Sequence, residues 1–317
     1  MLSLATFTKK FQENCQMDVS VIVINFNTFA LTSACIRSVY EKTSGVTFEL
    51  ILVDNGSHEC SPTRFKEEFP DIKLIISETN LGFAKGNNLG LQKATGRTIL
   101  LLNSDTQLLN NAIALAHTRL LKSPESGALA GKLYYPDRKV QHNVQRFPSI
   151  KLLLLEVLRL FHLMPLQKRG EVLMGGYFSY QIELFADWTW ATFLLIRRDV
   201  LDNFPNGRLH EDFFMYEEDK QWCLFMRQLG LKVLFSPQPH ILHHASGSSS
   251  AKEYSFTVNT SILHNEFRFL TMTKGVMYAR IFFLLKTVQY LTSGYTQAKA
   301  MAKHYLRIAL SGPPATQ

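Results

Sequence analysis

Blocks of apolar and polar positions alternate along the first hundred residues. Val19-Ser20-Val21-Ile22-Val23-Ile24 is a β-branched run that stops at Asn25-Phe26-Asn27, and residues 48–53 form a second run that stops at Asp54-Asn55-Gly56-Ser57. Between them Leu31, Ala34, Cys35 and Val39 recur at helical spacing, which predicts a helix to about Lys42. A short helix over residues 64–69 ends at Pro70, and residues 73–76 read as a third strand. Residues 80–88 read as a turn-rich loop feeding a helix over 89–94, and residues 98–102 as a strand ending at Asn103-Ser104-Asp105. Strands apolar on both faces belong to sheets covered on both sides. Their alternation with helices predicts an α/β fold with a doubly wound, mainly parallel sheet. Ligands of such sheets sit outside the C-terminal strand ends, where Asn25, Asp54, Ser104 and Asp105 fall.

The pattern changes past residue 125. Residues 150–166 are leucine-rich with Lys151, Glu156 and Arg159 interspersed, which predicts an amphipathic helix ending near Pro165. Phe193-Leu194-Leu195-Ile196 reads as another buried strand, and residues 211–219 set five carboxylates around an aromatic patch. Trp222, Phe225, Met226 and Leu229 continue at helical spacing to a C-cap at Gly230. His240-Ile241-Leu242-His243-His244 runs into a serine-rich loop at 246–250, and long apolar-basic helices are expected from Asn259 onward. The organisation expected is an N-terminal extension over 1–17, one catalytic domain over 18–250 and a basic amphipathic helical tail over 251–317.

Composition adds where the charge lies. The 317-residue chain carries a formal net charge of +8. Residues 251–317 hold eight basic side chains against two acidic ones, so most of the excess sits in the greasy tail. That distribution fits a membrane surface better than a nucleic acid, whose binders spread basic residues over a recognition face. A dimer contact or packing on the domain are the alternatives for the tail. No run reaches the roughly 18 apolar residues of a spanning helix, and the first ten residues lack the apolar core of a secretory signal. Cys15, Cys35, Cys60 and Cys223 show neither close pairing nor zinc spacing, which fits a reducing cytoplasm.

No G-x-G-x-x-G follows the first strand and no G-x-x-x-x-G-K-[ST] occurs, so dinucleotide and P-loop chemistry lose support. Asp105, with Asp54 at the end of the second strand, stands where one or two carboxylates could anchor a divalent cation against a diphosphate. Asp54 could instead bind a ribose or base, and either residue could simply cap a helix. Asp219, at the end of the acidic cluster, is placed for a general base in a partly apolar cleft. Without the flanking aromatics it would read as an acidic first helical turn. His243 could join Asp105 on a metal or serve as a structural residue at a strand end.

Taken in order, these pieces resemble the family 2 glycosyltransferases of GT-A fold, and more narrowly their rhamnosyltransferase-like branch. The resemblance rests on residues 21–27, Val53-Asp54-Asn55-Gly56-Ser57, Asn80-Leu81-Gly82-Phe83-Ala84-Lys85-Gly86-Asn87-Asn88-Leu89-Gly90 and Leu100-Leu101-Leu102-Asn103-Ser104-Asp105-Thr106. It continues through Arg146-Phe147-Pro148-Ser149, Asp187-Trp188, residues 194–198, residues 213–219, His243-His244 and Ser248-Ser249. It implies a Rossmann-like mixed sheet flanked by helices. It also implies a nucleotide-diphospho-sugar donor held by Asn25, Asp54, Asn80, Gly82, Asn88, Ser104 and Asp105. Mg2+ or Mn2+ would sit on Asp105 and His243, Asp219 would be the catalytic base of an inverting transfer, and Asp187, Trp188 and Glu218 would lie on the acceptor side. The acceptor would be a lipid-linked or oligosaccharide hydroxyl in bacterial surface polysaccharide synthesis, with rhamnose one candidate sugar. The enzyme would be peripheral on the inner face of the cytoplasmic membrane.

The chain departs from the pattern at three places. Asn103 stands where some relatives have Asp, Trp190-Ala191-Thr192 replaces a small Gly-Ala pair, and Gln221 replaces an acidic residue after the base. A nucleotidyltransferase is the competing enzyme reading, but Asn25-Phe26-Asn27-Thr28 is not the basic, glycine-rich loop it needs. A degenerate sugar-binding scaffold is the non-enzymatic reading, and retention of both Asp105 and Asp219 argues against it.

Overall fold

Alternation of side chains in the early strands fills two separate cores. In the first strand, Met17–Asn25 (β1), Val21 and Val23 point to one face and Ile22 to the other. The same division places Leu50 and Leu52 against Ile51, and Leu100 and Leu102 against Ile99 and Leu101. All are at most 2% exposed, and burial of each such side chain contributes about 1.5–3 kcal/mol. A strand so loaded on both faces must lie in a sheet with helices on both sides.

The computed structural model describes residues 17–245, 256–293 and 298–313. The chain divides into one unit through residues 1–145 and 179–248 and another through 146–178 and 249–317. The N-terminal extension before Met17 and the 246–250 loop with Ser248-Ser249 lie outside the described residues.

In the first unit β1 is followed by α1 (Phe29–Lys42), β2 (Phe48–Asn55), α2 (Arg64–Glu68), β3 (Lys73–Ser77), α3 (Phe83–Leu91) and β4 (Gly96–Asn103). These four strands pair in parallel in the order β3-β2-β1-β4. Then come β5 (Thr106–Leu108), α4 (Ala112–Leu121), β6 (Ser126–Tyr134), β7 (Val140–Gln141) and β8 (Val144–Gln145).

The chain next enters the second unit with α5 (Ile150–Val157) and α6 (Leu166–Leu173). It returns to the first through β9 (Leu184–Ala186), β10 (Trp188–Thr189), β11 (Phe193–Arg197), α7 (Arg198–Leu201), α8 (Glu218–Gln228) and β12 (Lys232–His243). It ends in the second with α9 (Phe256–Lys274), α10 (Val276–Leu291) and α11 (Ala298–Ser311).

The sheet is mixed, as the family resemblance implies, and not mainly parallel as strand–helix alternation alone predicts. β11 lies antiparallel between β4 and β6, β12 runs parallel to β6, and β5 pairs antiparallel with β12. Strand direction here depends on the path of residues 146–192, which local patterning does not encode. β6 escapes sequence detection because its nine residues, which open Ser126-Gly127-Ala128-Leu129-Ala130-Gly131, hold no β-branched side chain. Those small residues are packing requirements. A Cβ on Gly131 would come within 2.6 Å of Ile241, and one on Gly127 within 3.2 Å of Leu231.

Two helical expectations also shift. The loop over 80–88 becomes helical at Phe83, after a glycine turn at Gly82 with φ +82°. The single helix expected over 150–166 is broken, because Arg159 adopts a left-handed conformation and Pro165 starts a new helix. Ser149 caps α5 by accepting the Leu152 N–H at 3.1 Å.

The second unit has a core of its own. Leu153 packs with Leu263, Phe267, Leu270, Ala279, Phe282, Phe283, Tyr305 and Ile308. The Phe283 ring sits 5.1 Å from Phe267 and 5.0 Å from Tyr305, centroid to centroid. Among the described residues no helix is long and apolar enough to cross a membrane.

Candidate active site

Polar residues at the ends of β1, β2 and β4 meet at one edge of the sheet. Asn25 and Asp54 are register partners across β1 and β2, and the Asn25 amide donates to Asp54 Oδ2 at 2.7 Å and to Ser57 Oγ at 3.0 Å. Its carbonyl oxygen accepts from Thr28 and Thr32, so Asn25 is committed to orienting its neighbours. Asp54 also accepts the Ser57 N–H at 3.1 Å and is 1% exposed. Ser104 lies beside this pair, with its hydroxyl 3.3 Å from that of Thr28.

Asn80 and Asn88 organise the α3 turn. Asn80 Oδ1 accepts from Gly82 N and from Asn55 Nδ2, both at 2.9 Å. Asn88 reaches the segment before α8, exchanging bonds with the Leu209 backbone and donating to Glu211 at 2.7 Å. Gly82 has no room for a side chain, because a Cβ would run into the Phe214 carbonyl. Phe83 N donates to that same oxygen at 2.9 Å. The α3 turn and the aromatic-acidic segment are therefore fixed to each other by backbone approach.

Asp105 and His243, far apart in sequence, are brought together by the β5–β12 ladder. Thr106 is the register partner of His243, the Asp105 carbonyl accepts the His244 N–H, and His243 Nε2 lies 3.3 Å from Asp105 Oδ1. Both side chains are about 10% exposed. On the other side of the ring, His243 Nδ1 is 2.7 Å from Gln141 Oε1, while Gln141 Nε2 donates to the His243 carbonyl at 2.7 Å. Because the Gln141 amide nitrogen is used as that donor, its oxygen must accept, which puts the proton on His243 Nδ1. In the neutral ring this leaves the Nε2 lone pair facing Asp105, the arrangement in which a second partner fixes the tautomer of a metal-binding histidine.

Asn103, two residues before Asp105, carries a buried Oδ1 with no hydrogen-bond partner. A carboxylate, an imidazole nitrogen and an amide oxygen are donors suited to Mg2+ or Mn2+, so the chemistry of the set fits a divalent cation. Among the described residues no cluster of three His, Cys, Asp or Glu side chains could hold a metal by itself.

Asp219 sits in the first turn of α8, after Tyr216 and Glu217 at φ +69° and +77°. Two consecutive non-glycine residues in the left-handed region are strained backbone, a feature that concentrates at functional sites. Asp219 Oδ1 accepts from Lys220 N at 2.7 Å and Oδ2 from Ala191 N at 3.3 Å. Burial pushes its carboxyl up to about 6, opposed in part by the Lys220 charge.

The adjacent Glu218 is pushed well above the usual carboxylate range, first by burial and then by the charge of Asp219. Its Oε2 has no hydrogen-bond partner. Lys220 is buried, binds both oxygens of Glu217 at 2.6–2.7 Å, and stands 4.7 Å from the Trp188 ring centroid. Asp187 lies next to Trp188, its N–H donating to the Gln145 carbonyl and its carboxylate 3.9 Å from Arg227.

Residues 190–192 tie the two halves of this arrangement together. The Thr192 carbonyl accepts Asn103 N at 3.0 Å, at the end of β4, and the next residue back donates to Asp219. Sequence reasoning singles out the 190–192 stretch but misses the Ala191 N–H bond to Asp219, and it misses Gln141 altogether.

Comparisons place the chain among known proteins. The family described as Glycosyl transferase family 2 matches residues 20–188, more than half of the chain. An uncharacterized protein y4gI of Sinorhizobium fredii is 26% identical over 73% of this chain and 25% of its own length. An N-acetylglucosaminyl-diphospho-decaprenol L-rhamnosyltransferase of Mycobacterium tuberculosis is 23% identical over 63% of this chain and 67% of its own. Among solved structures, a mannosyltransferase from Pyrobaculum calidifontis in complex with GDP-Man and Mn2+ is similar in fold. Its TM-score is 0.55 at 15% identity, over 98% of this chain and 82% of its own. The chain spans a quarter or less of the length of the first two curated relatives it matches.

Proposed function

Because the chain belongs to glycosyl transferase family 2, we propose that it transfers a sugar, with inversion, from a nucleotide-diphospho-sugar to a hydroxyl of a lipid-linked or oligosaccharide acceptor. The observation that carries this reading is a carboxylate held near 6 and tied, through residues 190–192, to the strand end that leads to the Asp105–His243 pair. Bacterial surface polysaccharide is the product class, with rhamnose one candidate sugar, in line with the name of the mycobacterial relative, an L-rhamnosyltransferase.

Asp219 takes the proton of the acceptor hydroxyl, whose oxygen attacks the anomeric carbon as the bond to the β-phosphate breaks. The electron pair of that bond leaves with the diphosphate. Asp105, His243 and the Asn103 amide oxygen are the groups that would hold Mg2+ or Mn2+, and a cation bound there supplies positive charge to the departing diphosphate.

Asp54, oriented by Asn25, hydrogen-bonds the nucleoside, and Ser104 lines the same strand edge. Asn80, Gly82 and Asn88 hold the α3 turn that walls the nucleotide. Glu218, Asp187 and Trp188 face the acceptor, with the exposed Phe214 ring as a stacking surface for sugar. The proposed catalytic domain runs over residues 18–250, of which 146–178 share a core with the tail at 251–317, and the protein would work at the inner face of the cytoplasmic membrane.

The test is a panel of UDP-, GDP- and dTDP-sugars incubated with Mn2+ and a diphospholipid-linked saccharide, followed for nucleotide release and product mass. Transfer from one donor, lost in Asp219→Asn while nucleotide binding persists, is the expected result. Full activity in that variant would remove the base assignment.

A further inference from the structure

Helix α10 is apolar on two sides. One side, Ala279, Phe282, Phe283 and Thr287, is buried in its own unit. The other is a stripe of Met277, Ile281, Leu284, Val288 and Leu291, each between 40% and 64% exposed. These positions follow a strict four-three spacing, which aligns them along about 20 Å of helix. The same unit exposes Leu163 and Leu166 at 83% and 77%. Isolated apolar side chains on a surface need no explanation, but a continuous stripe does.

The charge around the stripe selects its occupant. Residues 267–317 contain seven basic side chains and no Asp or Glu. Counting 146–178 with 249–317, the second unit holds thirteen basic and four acidic residues, a net of +9 against +8 for the whole chain. All of the protein's positive excess is therefore in this unit. Lys274 and Arg280, close to the stripe in sequence, are exposed, as are Lys299, Lys303 and Arg307 on α11. A two-fold contact between copies would set this patch against itself, like charge against like. An anionic lipid surface satisfies both features at once, taking the apolar stripe into the acyl boundary and the cations among its headgroups.

We propose that the α10 stripe lies in the plane of an anionic bilayer and is the second unit's membrane-docking surface, with Leu163 and Leu166 extending the contact beyond the tail. This deepens the proposed function, since a lipid-linked acceptor is presented at such a surface. Its test does not depend on transfer.

The full chain is sedimented with phosphatidylcholine vesicles with and without phosphatidylglycerol. Expected is binding only to the anionic vesicles, weakened by salt, and reduced at least about tenfold in Ile281→Asp/Val288→Asp. Leu163→Asp/Leu166→Asp should give a smaller loss, and Ile76→Asp, an exposed apolar position of the first unit, none. Circular dichroism and UDP or dTDP affinity with Mn2+, measured on the same preparations, should stay unchanged, which separates loss of docking from loss of fold or donor site. Equal binding by the stripe variant overturns the proposal. So does a stable wild-type dimer that the stripe variant splits without any vesicle binding, since the stripe would then be a contact between copies.

Discussion

The Asp219 carboxyl titrates at about 6 because burial outweighs the opposing Lys220 charge and the N–H groups of Lys220 and Ala191. As the proposed base, Asp219 must be ionised to take a proton, so kcat should rise with pH through about 6 and level off above it. Asp219→Asn should lose that limb along with about 10²–10⁴ of the rate. Ionising a group whose folded pKa is raised opposes folding, so the neutral protonated form is the stable one at low pH. That stability is present below the unfolded value of 3.8 and lost as pH rises through about 6. Asp219→Asn should therefore melt higher than the wild type above pH 6 and alike below pH 4, which thermal melts across pH would show.

Gln141 bonds both the ring and the carbonyl of His243, a proposed metal ligand. Gln141→Leu should weaken Mn2+ binding about 10- to 100-fold, while Gln141→Glu, which keeps an acceptor, should restore much of it. Manganese titration followed by electron paramagnetic resonance measures both. Nitrogen NMR of the His243 ring in the metal-free protein should show its proton leave Nδ1 in the leucine variant alone. An unchanged tautomer would mean that Gln141 does not set it.

At the scale of elements, the α3 turn is the junction most sensitive to one atom. Gly82 has φ +82° and ψ 179°, a region open essentially to glycine alone, and a Cβ there meets the Phe214 carbonyl. Gly82→Ala should cost about 2 kcal/mol or more and free the 214–219 segment, read as a lower denaturation midpoint and a higher KM for donor.

The same scale explains what could be seen in the sequence. β1, β2 and β4 were legible because both of their faces are buried in separate cores, leaving uninterrupted apolar runs with polar ends. Asp54, Asp105 and Asp219 were legible because a carboxylate at a strand end or helix start stands out against its neighbours. β6 was hidden by the glycines and alanines that let β12 and α8 approach it. The antiparallel direction of β11 follows from a path that leaves the first unit and returns. Gln141 and Ala191 were beyond reach because their partners lie 102 and 28 residues away, and an amide or a backbone N–H carries no local signature.

Across the whole molecule, the two units close on different cores. The first buries its leucines and isoleucines on both faces of the sheet, and the second buries the Phe267–Phe283–Tyr305 cluster. Proteins with separate cores depart from two-state unfolding, and a ligand raises only the stability of what it binds. Calorimetry should resolve two transitions, of which UDP or dTDP with Mn2+ shifts one. A single transition moved as a block would show that the cores melt together.

The second unit is also assembled from two stretches of chain, 146–178 and 249–317, with strands β9 to β12 and helices α7 and α8 made between them. During synthesis, domains fold as units as they emerge. Leu153 leaves the ribosome long before Leu263, Phe267 and Phe283 exist to cover it. The nascent chain must carry an uncovered leucine-rich stretch through much of translation, a natural client for a chaperone. A protein stopped near residue 250 would retain that stretch without the helices that cover it, so such a truncation would aggregate rather than report on the tail alone.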